Sequence, residues 1–314
     1  MNTKFKILFL VMIPFLLFGI ISCSSDDDQT NNIPSTADIF YSVEGKQVAF
    51  QAITNHATSW SWDFGDGTTS TDQNPVYEYT EGGFYRATLI ATYANGETIS
   101  KAVEIAVDIT PYVLLTGGAT AENGKTWKLS SSHSANDYFA NADASLSALA
   151  GTPNPLPSGV FGQLGMGEVY DDEFTFYFDG NYSHNVQADN ATFSGIVYQY
   201  VTTGGAGIVN NNGQDYGLCT GLYTPEDSAT FTYEASEDFE ITSVYGPGGL
   251  LTYEQVSTLD FSGTEFIGVK DFENKVIIQN ITSDSMRLVM FLAASDAYIG
   301  VATHALVLTF TVVE

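Results

Sequence analysis

The chain has 314 residues, in which 10 Lys plus Arg face 37 Asp plus Glu, a formal net charge of -27. A surface this acidic repels phosphate and excludes nucleic acid as a partner. Its two cysteines, Cys23 and Cys219, cannot build a cysteine zinc site or a disulfide framework. Stability must therefore come from core burial, and a 44% hydrophobic content over about 280 mature positions suffices for two domains.

Lys4 and Lys6 precede an apolar run from Ile7 to Ile21 that is broken by Pro14 and Gly19. The run is too short to span a bilayer and has the layout of a secretory leader. It closes on Ile20-Ile-Ser-Cys23, which resembles the lipobox of bacterial lipoproteins, where aliphatic residues and a small one precede the cysteine that is acylated. The resemblance implies a signal peptide over residues 1–22 and a lipid anchor to the membrane on Cys23. Ser24-Ser-Asp-Asp-Asp28 is similar to the acidic tag that sends lipoproteins of Bacteroidota to the outer face of the outer membrane. The expected location is thus the outer membrane, lipid-anchored and facing the cell exterior. Residues 23–36, acidic and then polar through Asn31, Asn32 and Pro34, read as a tether.

Beyond the tether, Val48, Phe50 and Ala52, and later Ala87, Leu89 and Ala91, alternate with polar residues as half-buried strands do. Between them, Trp60, Trp62 and Phe64 share one strand face, with Trp62 placed for the centre of a core. Asp63, Phe64, Gly65, Asp66 and Gly67 follow as a tight turn needing positive φ and a carboxylate to bond its backbone. Tyr79 and Tyr85 are expected to bury their rings and keep their hydroxyls bonded. Trp60-Ser-Trp-Asp-Phe-Gly-Asp-Gly67, Asn74-Pro-Val-Tyr-Glu-Tyr79 and Gly82-Gly-Phe-Tyr85 resemble the PKD domain, a small immunoglobulin-like β-sandwich, over residues 37–108. The resemblance implies a spacer.

Residues 109–123 carry Pro111 and Gly117-Gly118, lose the alternation and read as a linker. Residues 124–314 then form a second domain. Phe174, Phe176 and Phe178 alternate inward before an Asp179-Gly180 turn and a return strand from Tyr182. Further strands are predicted at Thr230–Tyr233, Phe266–Lys270, Lys275–Ile281, Met286–Leu292 and Ala305–Val313, and a helix at Asp143–Ala150. The class is all-β: an immunoglobulin-like sandwich followed by a larger antiparallel β-sandwich, jelly-roll-like or alternatively a lipocalin-like barrel. Lys125-Thr-Trp-Lys128, Val169-Tyr-Asp-Asp-Glu-Phe-Thr-Phe176 and His304-Ala-Leu-Val-Leu-Thr-Phe310 resemble the C-terminal halves of surface glycan-binding lipoproteins of Bacteroidota. Those proteins pair a lipobox, a PKD spacer and a glycan-binding β-domain, and they serve a SusC/SusD-type uptake pair. Relatives often carry tryptophans where this chain has Asn136-Asp-Tyr-Phe139, and Trp127, the domain's single tryptophan, reads as core.

The resemblance implies a non-catalytic protein that binds polysaccharide, and the net charge favours a neutral one such as a β-glucan. Sugar faces stack on aromatic rings, so the candidate contacts are Tyr138, Phe139, Phe161 and Tyr170 in the irregular first third, and Tyr198, Tyr200, Tyr216, Tyr223 and Tyr245 in the Gly/Asn-rich middle. Asp171, Asp172 and Glu173 are hard oxygen ligands beside a strand, a candidate structural calcium site, and no other cofactor is indicated. Asp171 and Glu173, two apart on a strand, also leave open a glycoside hydrolase on the same fold. A purely adhesive or structural surface protein is the third reading. Gly162-Gln-Leu-Gly-Met-Gly167 lacks the Lys-Ser/Thr of a phosphate loop, and His133, His184 and His304 have no zinc-type spacing. The anchor is directly testable: Cys23→Ser should move the protein out of the membrane fraction on cell fractionation, and retention there would contradict the lipobox assignment.

Overall fold

The computed structural model of the chain describes residues 34–215 and 217–313. The expected signal peptide, Cys23, the tether up to residue 33, and Tyr216 lie outside the described residues.

Strands β1 (Thr36–Glu44), β2 (Gln47–Asn55), β3 (Ala57–Asp63), β4 (Thr69–Ser70), β5 (Val76–Glu78), β6 (Gly83–Tyr93) and β7 (Thr98–Val107) form two antiparallel sheets, ordered β1-β2-β5 and β4-β3-β6-β7. Strand alternation sends Val48, Phe50 and Ala52 from β2, Trp62 from β3, and Ala87 and Leu89 from β6 into the space between them. Trp62, opposite Leu89 and Ser70, is 0% exposed, and its Nε1 donates to the Asp72 carbonyl at 3.0 Å. Tyr79 and Tyr85 are buried, and their hydroxyls donate to the carbonyls of Phe64 and Glu81 at 2.8 and 2.9 Å.

The turn after β3 shows why its glycines are needed. Gly65 adopts φ 84°, and a Cβ there would fall 2.7 Å from the Arg86 carbonyl oxygen. Asp63 Oδ1 accepts from the Gly65 amide at 2.9 Å, and Asp66 accepts from the Thr68 amide at 3.0 Å and the Tyr77 hydroxyl at 2.7 Å. Burial alone raises the Asp66 pKa, but these bonds from Thr68 and Tyr77 outweigh it, and the net direction is down.

Residues 109–123 are not featureless. Thr110 caps a short helix α1 (Pro111–Thr116), which ends on Gly117 at φ 85°. Tyr112 Oη donates to the Phe178 carbonyl at 2.8 Å, and Lys125 Nζ and Trp127 Nε1 donate to the carbonyls of Leu114 and Leu115 at 2.6 and 2.9 Å. Thr120 Oγ1 donates back to the Phe84 carbonyl at 2.6 Å. This segment is thus bonded to both sandwiches.

The second body contains β8 (Lys125–Leu129), β9 (Tyr138–Asn141), helix α2 (Val160–Gln163), β10 (Glu173–Phe176), β11 (Tyr182–Asn185), β12 (Ala191–Gly195), helix α3 (Ile196–Thr203), β13 (Ile208–Asn210), β14 (Leu218–Leu222), β15 (Phe231–Thr242), β16 (Leu250–Phe261), β17 (Val276–Ile281), β18 (Ser285–Leu292) and β19 (His304–Val312). A nine-stranded antiparallel sheet runs β11-β10-β8-β19-β18-β17-β16-β15, with β9 also paired to β19. A small sheet, β12-β14-β13, covers part of one face. The large sheet curls until its ends touch: Tyr182 N donates to the Ala229 carbonyl at 2.9 Å, and Phe231 N to the Gly180 carbonyl at 3.0 Å. The curl makes β18 a strand buried on both faces, which explains the unbroken apolar run from Leu288 to Leu292. Trp127 lies in this core, as expected.

Three expectations are corrected. Phe266–Lys270 is not a strand: Phe266, Ile267 and Val269 are buried, but only Lys270 makes a bridge, to Ser194. Asp143–Ala150 is not a helix, because Asp143 Oδ1 accepts from the amides of Ser145 and Ser147 at 2.9 and 3.0 Å and Leu146 adopts φ 50°. Tyr198 and Tyr200, expected in loops, lie on α3. Because Trp62 anchors the first core, Trp62→Ala should cost about 3–5 kcal/mol in urea unfolding of the first sandwich. A loss below about 1 kcal/mol would show that the ring is not packed as described.

Candidate functional site

Most candidate rings turn out to be packing residues. Phe161 is fully buried, with ring centroids 4.6 Å from Phe193 and 6.2 Å from Phe139. Tyr170 is half-buried; its hydroxyl accepts from Phe161 N at 3.2 Å and lies 2.9 Å from His133 Nε2. His133 Nδ1 is in turn 3.1 Å from Asp137, whose carboxylate accepts from Thr309 N and Thr309 Oγ1 at 3.0 and 2.6 Å. Burial pushes the Asp137 pKa up, but hydrogen bonds from His133, Ser134 and Thr309 outweigh it and the net direction is down. Tyr138 donates to the Leu146 carbonyl at 3.0 Å, and Tyr223 to the Thr264 carbonyl at 3.1 Å. Phe161 is therefore corrected from a ligand contact to a core residue, while Tyr138, Tyr170 and Tyr223 are half-buried with their hydroxyls engaged. Tyr198 is half-buried edge-on to Phe272 at 5.3 Å, and Phe139 is half-buried. Tyr200 and Tyr245 remain open, 45% and 48% exposed.

The acidic triple does not converge either. Asp171 is exposed at the end of a short 3-10 turn, and Glu173 is half-buried and accepts from Asn185 Nδ2 at 3.1 Å. Asp172 points inward, where Thr192 Oγ1 donates to it at 2.8 Å. Among the described residues, no three His, Cys, Asp or Glu side chains are placed to hold a metal ion. The calcium expectation for Asp171, Asp172 and Glu173 is corrected on that geometry: Asp172 is buried beneath the turn, while Asp171 is exposed beyond the 3-10 turn and Glu173 is engaged with Asn185 at the start of β10.

Asp172 instead joins a buried cluster that sequence spacing did not reveal. His184 Nε2 lies 4.0 Å from Asp172 and Nδ1 lies 3.6 Å from Glu265. Burial by itself pushes the His184 pKa down, but the two carboxylates together outweigh it and the net direction is up. Burial likewise raises the Asp172 pKa, with His184 opposing it. The rings of Phe174 and Phe266 pack 4.6 and 5.0 Å from the imidazole, so the cluster is part of the core.

The open surface gathers at the end of the large sheet where β18 turns into β19. A depression of about 310 Å³ is lined there by Val197, Tyr200, Val201, Asp215, Asp296 and Ile299, and Tyr298 is exposed beside it. Helix α3 places Tyr200 and Val201 on its outer side. The helix ends on Gly204 at φ 64°, and the Tyr200 ring lies over Gly205, where a Cβ would fall 2.7 Å from its Cε1. Asp296 and Ile299 come from the β18–β19 connection, and Asp215 from the turn before β14. A tyrosine ring, aliphatic side chains and two exposed carboxylates offer a stacking surface with hydroxyl acceptors around it. Of the eight aromatic candidates among the described residues only Tyr200 lines it. Asp215, Asp296 and Ile299 were not found from sequence, since they lie in segments without periodicity.

Asp271 holds this end together. Its Oδ1 accepts from Phe272 N at 2.8 Å and Ala293 N at 3.1 Å, and its Oδ2 lies so close to Gly195 that a Cβ there would be 1.9 Å away. Burial pushes its pKa up to about 7, although the backbone bonds and Lys270 oppose the shift. Burial also lowers the neighbouring Lys270 pKa to about 8.

Residues 35–107 match the PKD domain family. The pre-pro-metalloprotease PrtV of Vibrio cholerae serotype O1 is 35% identical over 101 residues, 31% of this chain and 11% of the protease. The chain thus spans about a tenth of the length of the curated relatives it matches. The PKD1 domain of that metalloprotease, solved as a crystal structure, is 34% identical, covers 24% of this chain and 100% of its own, and has a TM-score of 0.24. A structure described as one of carbohydrate-binding modules of the β-sandwich superfamily covers 90% of this chain and 93% of its own, at 13% identity and a TM-score of 0.24. A likeness that faint carries no functional argument.

The Asp271 carboxyl makes stability depend on pH. Its folded pKa of about 7 lies above the ordinary 3.8, so the folded state binds its proton more tightly. Its stabilising share is complete below the ordinary value and is lost as pH rises through the folded one. In urea titrations, Asp271→Asn should gain stability relative to the unsubstituted chain between pH 4 and 8. A difference independent of pH would contradict the assignment.

Proposed function

Because residues 35–107 are a PKD domain bonded through residues 109–123 to a curled β-sandwich, we propose that this is a non-catalytic, lipid-anchored protein of the outer membrane that binds polysaccharide. Cys23 carries the lipid, the PKD domain is the spacer, and the C-terminal β-domain holds the ligand outside the cell. The observation that carries the reading is the depression combining Tyr200 with Asp215 and Asp296. A pyranose presents an apolar face to the tyrosine ring and hydroxyl donors to the two carboxylates. Carboxylates at the rim, on a chain of net charge -27, favour a neutral glycan such as a β-glucan over sulfated or uronate-rich chains. By the resemblance of its lipobox and domain order, the protein serves a SusC/SusD-type uptake pair. An open depression with one principal ring supports affinity on the order of micromolar, because shallow contacts gain little beyond ordering costs.

Affinity electrophoresis of the full chain tests this reading. A neutral β-glucan should retard migration, with retardation surviving 500 mM salt, a condition that screens surface charge to within about 3–8 Å. Tyr200→Ala should weaken binding roughly fivefold to tenfold, the order of one lost aromatic contact. Retardation unchanged in Tyr200→Ala would remove the depression as the site, and release of oligosaccharide during incubation would replace binding with hydrolysis.

A further inference from the structure

The large sheet closes on itself with few backbone bonds. Among the described residues its two ends are joined by the Tyr182 and Phe231 amides, bonded to the Ala229 and Gly180 carbonyls, around the bridge of Asn181 to Thr230. Past Tyr182, β11 meets residues 223–226 and 262–267, which are not strands, and side chains complete the seam. Tyr182 Oη donates to the Phe266 carbonyl at 2.5 Å and Tyr223 Oη to the Thr264 carbonyl at 3.1 Å. Glu226 and Glu265 lace the two segments together: Glu265 Oε1 accepts from Glu226 N at 2.6 Å, and Glu226 Oε1 from Thr264 N at 2.8 Å. The other oxygen of Glu265 faces His184 of β11.

At His184 this seam carries charge. Nδ1 lies 3.6 Å from Glu265 Oε2 and Nε2 4.0 Å from Asp172 Oδ2, so the imidazole stands between two carboxyls with one nitrogen toward each. His184, Glu265 and Asp172 are 5%, 0% and 2% exposed, and neither ring nitrogen nor Glu265 Oε2 has a hydrogen-bond partner among the described residues. A neutral imidazole has one N–H and turns a bare acceptor nitrogen to the second carboxylate, whereas the imidazolium presents a donor to each. The proton belongs on the imidazole, the more basic group of the three. Around them, Tyr182 and Tyr223 are neutral, and Asp189 and Glu226 add negative charge beside Asp172 and Glu265. Lys270, the cation acting on Glu265, gives its ammonium to the Thr264 carbonyl and Asn274 Oδ1 and forms no ion pair there. The ring is left to supply the positive charge.

We propose that His184 is a pH-sensitive clasp on this seam: as an imidazolium it ties β11 to residues 262–267 and to Asp172 before β10, and on losing its proton it lets the seam open beyond Tyr182. A neutral ring would leave one of two buried carboxylates without a donor, and such a charge is relieved by admitting water. Burial opposes charge on the ring, but the two carboxylates outweigh it, so the folded ring holds its proton more tightly than the ordinary value of 6.5. The contribution of the clasp is complete below that value and is lost as pH rises through the higher folded one. Asp172, whose pKa burial raises against His184 and Thr192, adds in the same direction. The opening is local, because the strands from β16 to β19 are paired with one another and do not depend on the cluster.

Nuclear magnetic resonance of the full chain tests the clasp. At about pH 6.5, where an ordinary histidine is half charged, the His184 ring nitrogens should show mostly the imidazolium pattern, with both protonated; a mostly neutral ring at that pH overturns the proposal. Amide protection at Glu226 and Thr264, which are bonded across the seam, should fall by up to about tenfold per pH unit above the His184 midpoint, while protection in β18 and β19 holds. Protection at Glu226 and Thr264 that ignores the titration of His184 makes the ring an ordinary core residue and overturns the clasp as well. Asp172→Asn combined with Glu265→Gln separates charge from packing. With both carboxylates gone burial acts alone, so the midpoint should drop below that of an ordinary histidine and the pH dependence of the seam should vanish; a midpoint that stays raised contradicts the pairing. Should that double variant not fold, Glu265→Gln alone is read in the same way: the midpoint falls relative to the unsubstituted chain, and an unchanged one overturns the proposal.

Discussion

Asp271 sits where three segments meet. One carboxylate oxygen takes the amides of Phe272 and Ala293, and the other lies against Gly195. Ala293 opens the connection that carries Asp296 and Ile299, and Gly195 precedes the helix that carries Tyr200. Lys270 reinforces the junction through its backbone, which accepts from Gly195 N at 2.9 Å and donates to the Phe193 carbonyl at 2.8 Å. The small sheet and the large one are thus registered at the point where the depression forms. Burying a carboxyl raises its pKa, and this one is held by the amides of Phe272 and Ala293 while it packs against Gly195.

Opposite chemistries then lie side by side at one end of the domain. The depression shows carboxylates and a ring to solvent, whereas an adjoining cleft lined by Phe139, Leu149, Leu218, Leu292, Leu306 and His304 is hydrocarbon apart from that imidazole. Both are framed by the turn before β14 and the β18–β19 connection, so a ligand filling one lies within reach of the other. At the remote side of α1, Phe50, Trp62, Phe64 and Tyr79 pack in the core of the PKD sandwich, while Phe40 and Phe84 are exposed on it.

Features encoded locally were legible in the sequence. The Gly65 and Gly67 turn, the burial of Trp62 and the Asp179-Gly180 hairpin each depend on residues within a few positions, and the structure shows them as expected. Misreadings came where one local signal serves two geometries. Asp143 has the look of a helix cap, yet its carboxylate closes a turn around Ser145 and Ser147. The run at Phe266 is apolar because it is buried, not because it pairs.

Long-range partners were not legible at all. Tyr223 is a half-buried ring whose hydroxyl finds Thr264, and Asp172 is buried near His184, which in turn faces Glu265, partners that no motif spacing marks. Helix α3 escaped notice because Tyr, Val and Thr fill it and glycine stands at both ends. Its two caps, Gly195 and Gly204, carry the only local signals it had, and glycine is common enough in this chain to hide them.

Hydrogen exchange of the full chain, with and without a saturating neutral polysaccharide, tests the account most directly. Ligand should slow exchange in residues 196–205, 213–218 and 293–300 and leave residues 35–107 unchanged. Protection confined to the PKD sandwich, or to the β10–β11 hairpin that carries Glu173, would contradict it.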